Sequence, residues 1–243
     1  MEYWGITDPG KVRKQNQDYY LTAKIDDRTM VAVVCDGMGG AKSGNIASKL
    51  AAETFITEMR RSVQPDMELE KAEAAMRMAV SLANTAVYEN AKFSDDYTGM
   101  GTTLVAILVL DGSGVVVNVG DSRAYLLNQM DVRCITTDHS VVEMMVQRGE
   151  LRREEAKSYP GKNLITRAVG TEETVSCDVF RLPLRKGDNI LLCSDGLSNL
   201  LADQEILFET VHGVHKSDCC QRLLEIVKQR GAPDNVTALL ISI

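Results

Sequence analysis

Met30-Val31-Ala32-Val33-Val34-Cys35-Asp36-Gly37-Met38-Gly39-Gly40 carries an apolar, β-branched run straight into an aspartate flanked by glycines. The run from Met30 to Cys35 is long enough for a buried strand and too short for a helix. A helical pattern starts near Ser43, so Asp36 stands at the end of a rigid strand, where Gly37 lets the backbone turn and exposes a carbonyl. A phosphate-binding loop aligned on Lys42-Ser43 would need glycines where Asp36 and Ala41 stand, and a dinucleotide fingerprint from Gly37 would need one at Lys42. Neither fits. A plain Asp-Gly turn is the remaining alternative, and recurrence argues against it. Asn189 to Cys193 runs into Ser194-Asp195-Gly196, again ahead of a helical pattern. An acidic residue at a strand end, written twice, points to two halves of one metal site.

Working outward, Tyr3 to Thr7 reads as a first strand, followed by the polar stretch Asp8 to Asp18. Within it, Arg13 is a solvated charge or an anion contact, and Asp18 is a turn cap or a metal neighbour. Tyr19 to Ile25 pairs as a hairpin with Met30 to Cys35 across Asp26-Asp27, bringing Arg13 and Asp18 to the strand end. Ile46, Leu50, Phe55 and Met59 recur at helical spacing, as do Leu69, Ala72, Met76, Ala79, Ala83 and Val87. Two such helices, broken at Gln64-Pro65-Asp66, are expected as an antiparallel pair over one sheet face. Leu104 to Leu110 and Val115 to Val119 form a hairpin over Asp111-Gly112-Ser113-Gly114 that ends in a third aspartate turn, Gly120-Asp121-Ser122-Arg123. Ala124 to Leu127 follows as a strand, and Asp138-His139-Ser140 caps a helix from Val141 to Arg148. His139 serves that turn or the site; His212 and His215 are given no ligand role. Gly149 to Lys162 is charged, irregular and poor in apolar anchors, which suits a mobile flap. Strands are expected at Leu164 to Val169, Val175 to Leu182 and Val236 to Ile243, with helices at Asp203 to Val211 and Ser217 to Arg230. Pro233-Asp234-Asn235 supplies the fourth aspartate. Short antiparallel strands with paired helices indicate an α+β layered sandwich.

The totals narrow the class. The 243 residues, 44% apolar and without a linker, suit one large domain with a sizeable core. A net charge of −7 speaks against nucleic acid or anionic membranes as partners. The N-terminus lacks a basic region followed by an apolar stretch, and Leu104 to Leu110 is far too short to cross a bilayer. The cysteines at 35, 134, 177, 193, 219 and 220 form no C-x-x-C pair and read as reduced intracellular thiols. A soluble cytoplasmic protein is expected.

The ordered motifs R-K-Q-N-Q-D, V-V-C-D-G-M-G-G, G-M-G-T-T, V-G-D-S-R, C-S-D-G-L and P-D-N-V-T resemble the metal-dependent type 2C protein serine/threonine phosphatases in their compact bacterial form, from Arg13 to Thr237. The resemblance implies a single catalytic domain over residues 1–243, with a flap at about 140–165. Its fold would be a four-layer sandwich of two antiparallel sheets packed face to face and flanked by helix pairs. It implies hydrolysis of phosphoserine and phosphothreonine in proteins by a water bridging two Mn²⁺ or Mg²⁺ ions. Asp36, the Gly37 carbonyl, Asp195 and Asp234 would hold those ions; hard cations take oxygen ligands and keep several waters. Arg13 would clamp the phosphate with its planar fork, and Asp18 would orient bound water. Asp121, with Asp195, matches a third, weaker ion site. Phosphoproteins, including a serine/threonine kinase, are the implied partners of a monomer.

The departures are at Gln17, where many members carry Glu, at Met38, where eukaryotic members often carry a histidine proposed as general acid, and at Ala41 and Asn45. None removes an implied ligand. A catalytically weak phosphoprotein-binding relative would lack Asp36, Asp195 or Asp234, and all three are present. Another two-metal hydrolase, such as a nuclease, is disfavoured by the acidic surface.

Overall fold

The structure is a computed structural model describing residues 1–39, 43–93, 97, 99–156, 159–161 and 163–243. The departure at Ala41, Gly40 of the motif V-V-C-D-G-M-G-G, and Lys157, Ser158 and Lys162 of the expected flap lie outside these residues.

The β-branched runs build two antiparallel sheets. The first holds β2 (Asp18–Lys24), β3 (Met30–Met38), β5 (Leu104–Leu110), β6 (Ser113–Val119) and β9 (Asp178–Pro183) in that order, with β4 (Gly101–Thr102) paired to the end of β3. The second holds β1 (Glu2–Asp8), β11 (Val236–Ser242), β10 (Asn189–Cys193), β7 (Arg123–Leu127) and β8 (Val132–Cys134). The Asp26 side chain closes the β2–β3 turn, its Oδ1 accepting from the N–H groups of Arg28 at 2.7 Å and Thr29 at 2.8 Å.

Both faces of β3 are apolar because both are covered. Val31, Val33 and Cys35 pack under α1 (Gly44–Ser62) and α2 (Leu69–Ala91) with Ala47, Phe55, Met76 and Ala83. Met30, Ala32 and Val34 meet Ile190 and Leu192 of β10 and Leu239 and Ile241 of β11 across the gap between the sheets. The outer face of the second sheet, with Tyr125, Leu191 and Cys193, is covered by α6 (Asp203–Val211) and α7 (Cys219–Gln229). Helix pair, sheet, sheet, helix pair: the expected four layers are present.

Period-two alternation continues past the apolar runs. The parity that aims Met30, Ala32 and Val34 between the sheets carries Asp36 to the same face. On β2 the parity of Tyr20, which packs in that layer, carries Asp18 there too. The register sets Asp18 directly opposite Asp36.

Several local expectations are corrected. Leu164 to Val169 is not a strand: among the described residues it makes two isolated bridges, Ile165 to Ser140 and Val169 to Thr102, and the Thr166 N–H goes to the His139 carbonyl at 2.7 Å. The segment ties loops together and has no ladder to join. Val175 to Leu182 pairs only from Asp178 onward. Buried Asn84 on α2 binds the carbonyls of Glu172 and Glu173 and the N–H of Gly170, holding the chain off the sheet until Asp178 meets Asn118. The charged stretch from Gly149 contains the short helix α4 (Arg153–Ala156). It also has a polar anchor: Arg153 grips Glu143 of α3 (Val141–Gln147) through two N–H groups at 3.0 and 2.9 Å. The expected helix from Ser217 begins as a 3-10 turn, Lys216–Asp218, before α7. Strand β8 was not expected; three residues are too few for a periodicity signal. All six cysteines are free, and Cys134 alone among them is exposed.

Candidate active site

At one end of the sandwich, loops from both sheets surround a cleft of about 570 Å³ lined by Arg13, Asp36, Gly37, Met38, Asp121, Asp195 and Asp234, among others. Each functional group arrives on a separate element. Asp36 is near the end of β3, Asp121 follows β6, and Asp195 opens the short helix α5 (Asp195–Ser198) after β10. Asp234 precedes β11, and Arg13 comes from the loop between β1 and β2. Asp195 thus begins a helix, two residues past the end of β10.

Asp18 does not line the cleft. It is buried behind it, with Oδ2 accepting from the Ser194 hydroxyl at 2.7 Å and Oδ1 shielded from solvent with no hydrogen-bond partner. The Ser194 hydroxyl in turn accepts the Thr237 N–H at 3.0 Å, so one short network joins β2, β10 and β11 behind the carboxylates.

Backbone contacts fix the β3 end. The Asp36 N–H donates to the Thr103 hydroxyl at 2.9 Å, and its carbonyl accepts from the Thr103 N–H at 2.8 Å and the Thr102 hydroxyl at 2.9 Å. Gly37 is glycine for space: a Cβ there would strike the Gly44 carbonyl and stand 2.7 Å from the Gln17 carbonyl oxygen. Gly120, with φ +103°, positions the Asp121 turn in a conformation that side-chain-bearing residues avoid.

The loop carrying Arg13 is held by Asn235. Its Nδ2 donates to the carbonyls of Pro9 at 3.0 Å and Gln15 at 2.9 Å, and its Oδ1 accepts the Gln17 N–H at 2.8 Å. Arg13 Nη2 then reaches Asp234 Oδ2 at 2.8 Å, with 55% of the arginine side chain exposed. Asp195 Oδ2 accepts from Asn199 Nδ2 at 3.0 Å. Sequence reasoning gave no role to Ser194, Asn235, Thr102 or Thr103. Ser194 and Asn235 stand beside candidate aspartates, and Thr102 and Thr103 close the motif G-M-G-T-T, which was the available signal.

The electrostatics of this cluster are those of crowded carboxyls. Burial first, then the neighbouring charges of Asp195 and Asp234, push Asp18 up to about 7. Burial and Asp195 push Asp121 up to about 8. Asp36, with Asp18 opposite and Asp195 near, is held well above the usual carboxylate range, and Asp195 is raised by burial and by Asp234. Asp234 raises the Arg13 guanidinium further, so that charge is permanent.

Like charges directly opposite on paired strands are destabilising, and a buried oxygen without a partner costs free energy. Asp18 and Asp36 present both costs together, and a divalent cation in the cleft would offset them. Among the described residues no three acidic, histidine or cysteine side chains already form a group able to hold an ion. The carboxylates are neighbours that a cation would draw together, with the remaining positions left to water as hard cations allow. The residues present therefore fit such ions. Among the described residues no helix is long and apolar enough to cross a membrane.

The sequence profile of the protein phosphatase 2C family matches residues 11–240. The serine/threonine phosphatase Stp of Listeria monocytogenes is 34% identical over 238 residues, covering 97% of this chain and 93% of its own. The crystal structure of the serine/threonine phosphatase Stp1 from Staphylococcus aureus superposes with a TM-score of 0.93 at 36% identity, over 100% of this chain and 94% of that one. The catalytic domain of the serine/threonine protein phosphatase PstP, in complex with two manganese ions, gives 0.83 at 33% identity, over 98% and 96% of the two chains. With the match spanning both sheets and every cleft-lining aspartate, this chain belongs to the protein phosphatase 2C family.

Proposed function

We propose that the cleft hydrolyses phosphoserine and phosphothreonine in proteins, with Asp36, the Gly37 carbonyl, Asp195 and Asp234 holding two Mn²⁺ or Mg²⁺ ions. The observation that carries this reading is the convergence of four cleft-lining aspartates from four separate elements with Arg13 at the rim. When bound, two such ions supply a nucleophilic water at neutral pH and neutralise phosphoryl oxygens. The chain's own residues do the rest. Arg13, already beside Asp234, is placed to take two oxygens of a phosphate with its planar fork. Asp18 and Ser194, bonded to each other behind the cleft, support the strand ends that present the ligands. Met38 lines the cleft and has no proton to donate, so the leaving alkoxide takes its proton from solvent held at the site. The substrates are kinase-phosphorylated proteins, a serine/threonine kinase among them, met by a monomer in the cytoplasm. The test is hydrolysis of a phosphothreonine peptide with added Mn²⁺, beside single-stranded DNA as competing substrate. Cleavage of DNA without release of phosphate from the peptide would overturn the reading.

Arg13→Ala is expected to lower kcat/KM on phosphopeptides roughly 10- to 150-fold, since a charge-assisted hydrogen bond contributes about 1.5–3 kcal/mol. Arg13→Lys restores only part of this, because an ammonium lacks the fork. Intact kcat/KM in Arg13→Ala would make Arg13 a surface charge.

The flap belongs to this reading. Its described part, anchored by Arg153 to Glu143, leads through Asn163 and Ile165, which line the cleft. Exchanging residues 149–162 for those of a relative should change peptide preference and leave hydrolysis of a small aryl phosphate within about twofold. Equal losses on both substrates would make the segment structural.

Asp121 would join Asp195 at a third, weaker ion. Asp121→Asn should fold normally, keep two tight ions by calorimetric titration, and need about tenfold more Mn²⁺ for half-maximal turnover. Unchanged metal dependence would leave Asp121 as a turn residue.

A further inference from the structure

His139 is buried, only 8% exposed, and its hydrogen bonds converge on the turn that carries Asp121. The Gly120 N–H donates to His139 Nδ1 at 3.0 Å, and the His139 N–H donates back to the Gly120 carbonyl at 2.9 Å. Asn118 Nδ2 adds a second bond to that carbonyl at 3.1 Å. A backbone amide can only donate, so Nδ1 carries the lone pair and the ring proton sits on Nε2. Nε2 lies 3.3 Å from Asp178 Oδ2, an acceptor for that proton. Arg167 Nη1 is 3.0 Å from the same nitrogen but, as a donor facing a donor, makes its bond to Asp178 Oδ1 at 2.9 Å. Asp178 therefore mediates between Arg167 and the ring. The His139 carbonyl takes the Thr166 N–H, and Ser140 meets Ile165. One residue thus clamps the Asp121 turn on one side and, on the other, the chain returning from the flap.

We infer that His139 is a positioning residue: its Nε2–H tautomer, held by Asp178 and Arg167, locks the Gly120 amide and so fixes the direction of the Asp121 carboxylate. The capping bond to α3 is made by the Ser140 hydroxyl accepting the Glu143 N–H at 3.1 Å, so the imidazole is free for this second task. The inference rests on the phosphatase reading only where turnover is measured; the tautomer and the turn geometry do not depend on it.

The two ring nitrogens can be tested separately. An Asn side chain places its oxygen near the position of Nδ1, whereas a Gln side chain places its terminal amide near that of Nε2. His139→Asn should keep the Gly120 bond and the parent's Mn²⁺ requirement. His139→Gln and His139→Ala should raise the Mn²⁺ needed for half-maximal turnover about tenfold, as partners behind metal ligands commonly do. KM for a small aryl phosphate should hold at saturating Mn²⁺. In an Asp121→Asn background the same exchanges should shift the metal requirement no further, since both act through one carboxylate. Independently of activity, ring ¹⁵N shifts of the unmodified protein should show Nε2 protonated and Nδ1 bare. The Gly120 amide should exchange slowly in the parent and in His139→Asn, and faster in His139→Gln. An Nδ1–H tautomer, equal behaviour of the Asn and Gln variants, or additive effects with Asp121→Asn would each overturn the inference. Correct ring and amide signals with no peptide hydrolysis would instead count against the phosphatase reading alone.

Discussion

Asp36→Asn is expected to lower turnover of a phosphothreonine peptide by more than about 100-fold at saturating Mn²⁺, because even partners behind metal ligands can cost that much. The amide keeps the shape of the carboxylate and removes the charge. The fold should survive, since the structural bonds at this position are made by the backbone. Its N–H goes to the Thr103 hydroxyl at 2.9 Å, and its carbonyl accepts the Thr103 N–H at 2.8 Å. The metal-free variant should melt no lower than the metal-free parent, because the exchange replaces one of two opposed, buried carboxyls, whose ionisation burial resists, by a group that never ionises. Asp195→Asn should behave alike, with its contact from Asn199 Nδ2 retained through the remaining amide oxygen. Kinetics and melting curves on the same preparations separate the two effects. Near-normal turnover in either variant would refute the assignment of these aspartates.

Stripping metal should abolish peptide hydrolysis altogether and should destabilise the protein in a pH-dependent way. The sign follows from the raised carboxyls. Asp18, pushed up to about 7, and Asp121, pushed up to about 8, favour their neutral forms in the metal-free fold over an ordinary value of 3.8. Groups raised on folding contribute stability that is full below the unfolded value and lost as pH climbs through the folded one. The metal-free melting temperature should therefore decline between about pH 5 and pH 8. Bound cations favour the ionised carboxylates and cancel that decline, so the melting-temperature gain from Mn²⁺ should grow over the same range. Melting curves with Mn²⁺ and with chelator check this across the window. A gain that stays constant with pH, or hydrolysis that survives thorough chelation, would contradict a carboxylate-held metal pair.

Most of the architecture was legible because burial leaves a periodic trace. The run Met30 to Cys35 and its counterpart Ile190 to Cys193 are apolar on both faces, which requires cover on both faces, and the helical spacing of Phe55 and Met59, and of Met76 and Ala83, identifies part of that cover. The segment from Leu164 to Val169 misled for the same reason: its composition suits a strand, but a strand also needs a neighbour. Here the available partners are single residues, Ser140 and Thr102. Likewise Asn84, a polar residue within an apolar helix face, delays β9 through bonds to residues far along the chain.

For the candidate site, the amino-acid sequence by itself determined which groups are available: aspartates after apolar runs, a glycine where the backbone must pass close, and an arginine in the first polar loop. Those are properties of short stretches, and short stretches are what a linear reading can see. Only the tertiary structure decided how they meet. The antiparallel register sets Asp18 against Asp36, Ser194 and Thr237 bridge two strands behind them, and Asn235 holds the loop that brings Arg13 to Asp234. It likewise gave His139 its place, through a ring nitrogen that accepts an amide proton from Gly120 and not through the helix it precedes. Each of these contacts joins residues far apart in sequence. No local propensity encodes such pairings; they exist only once two sheets pack and their strand ends converge.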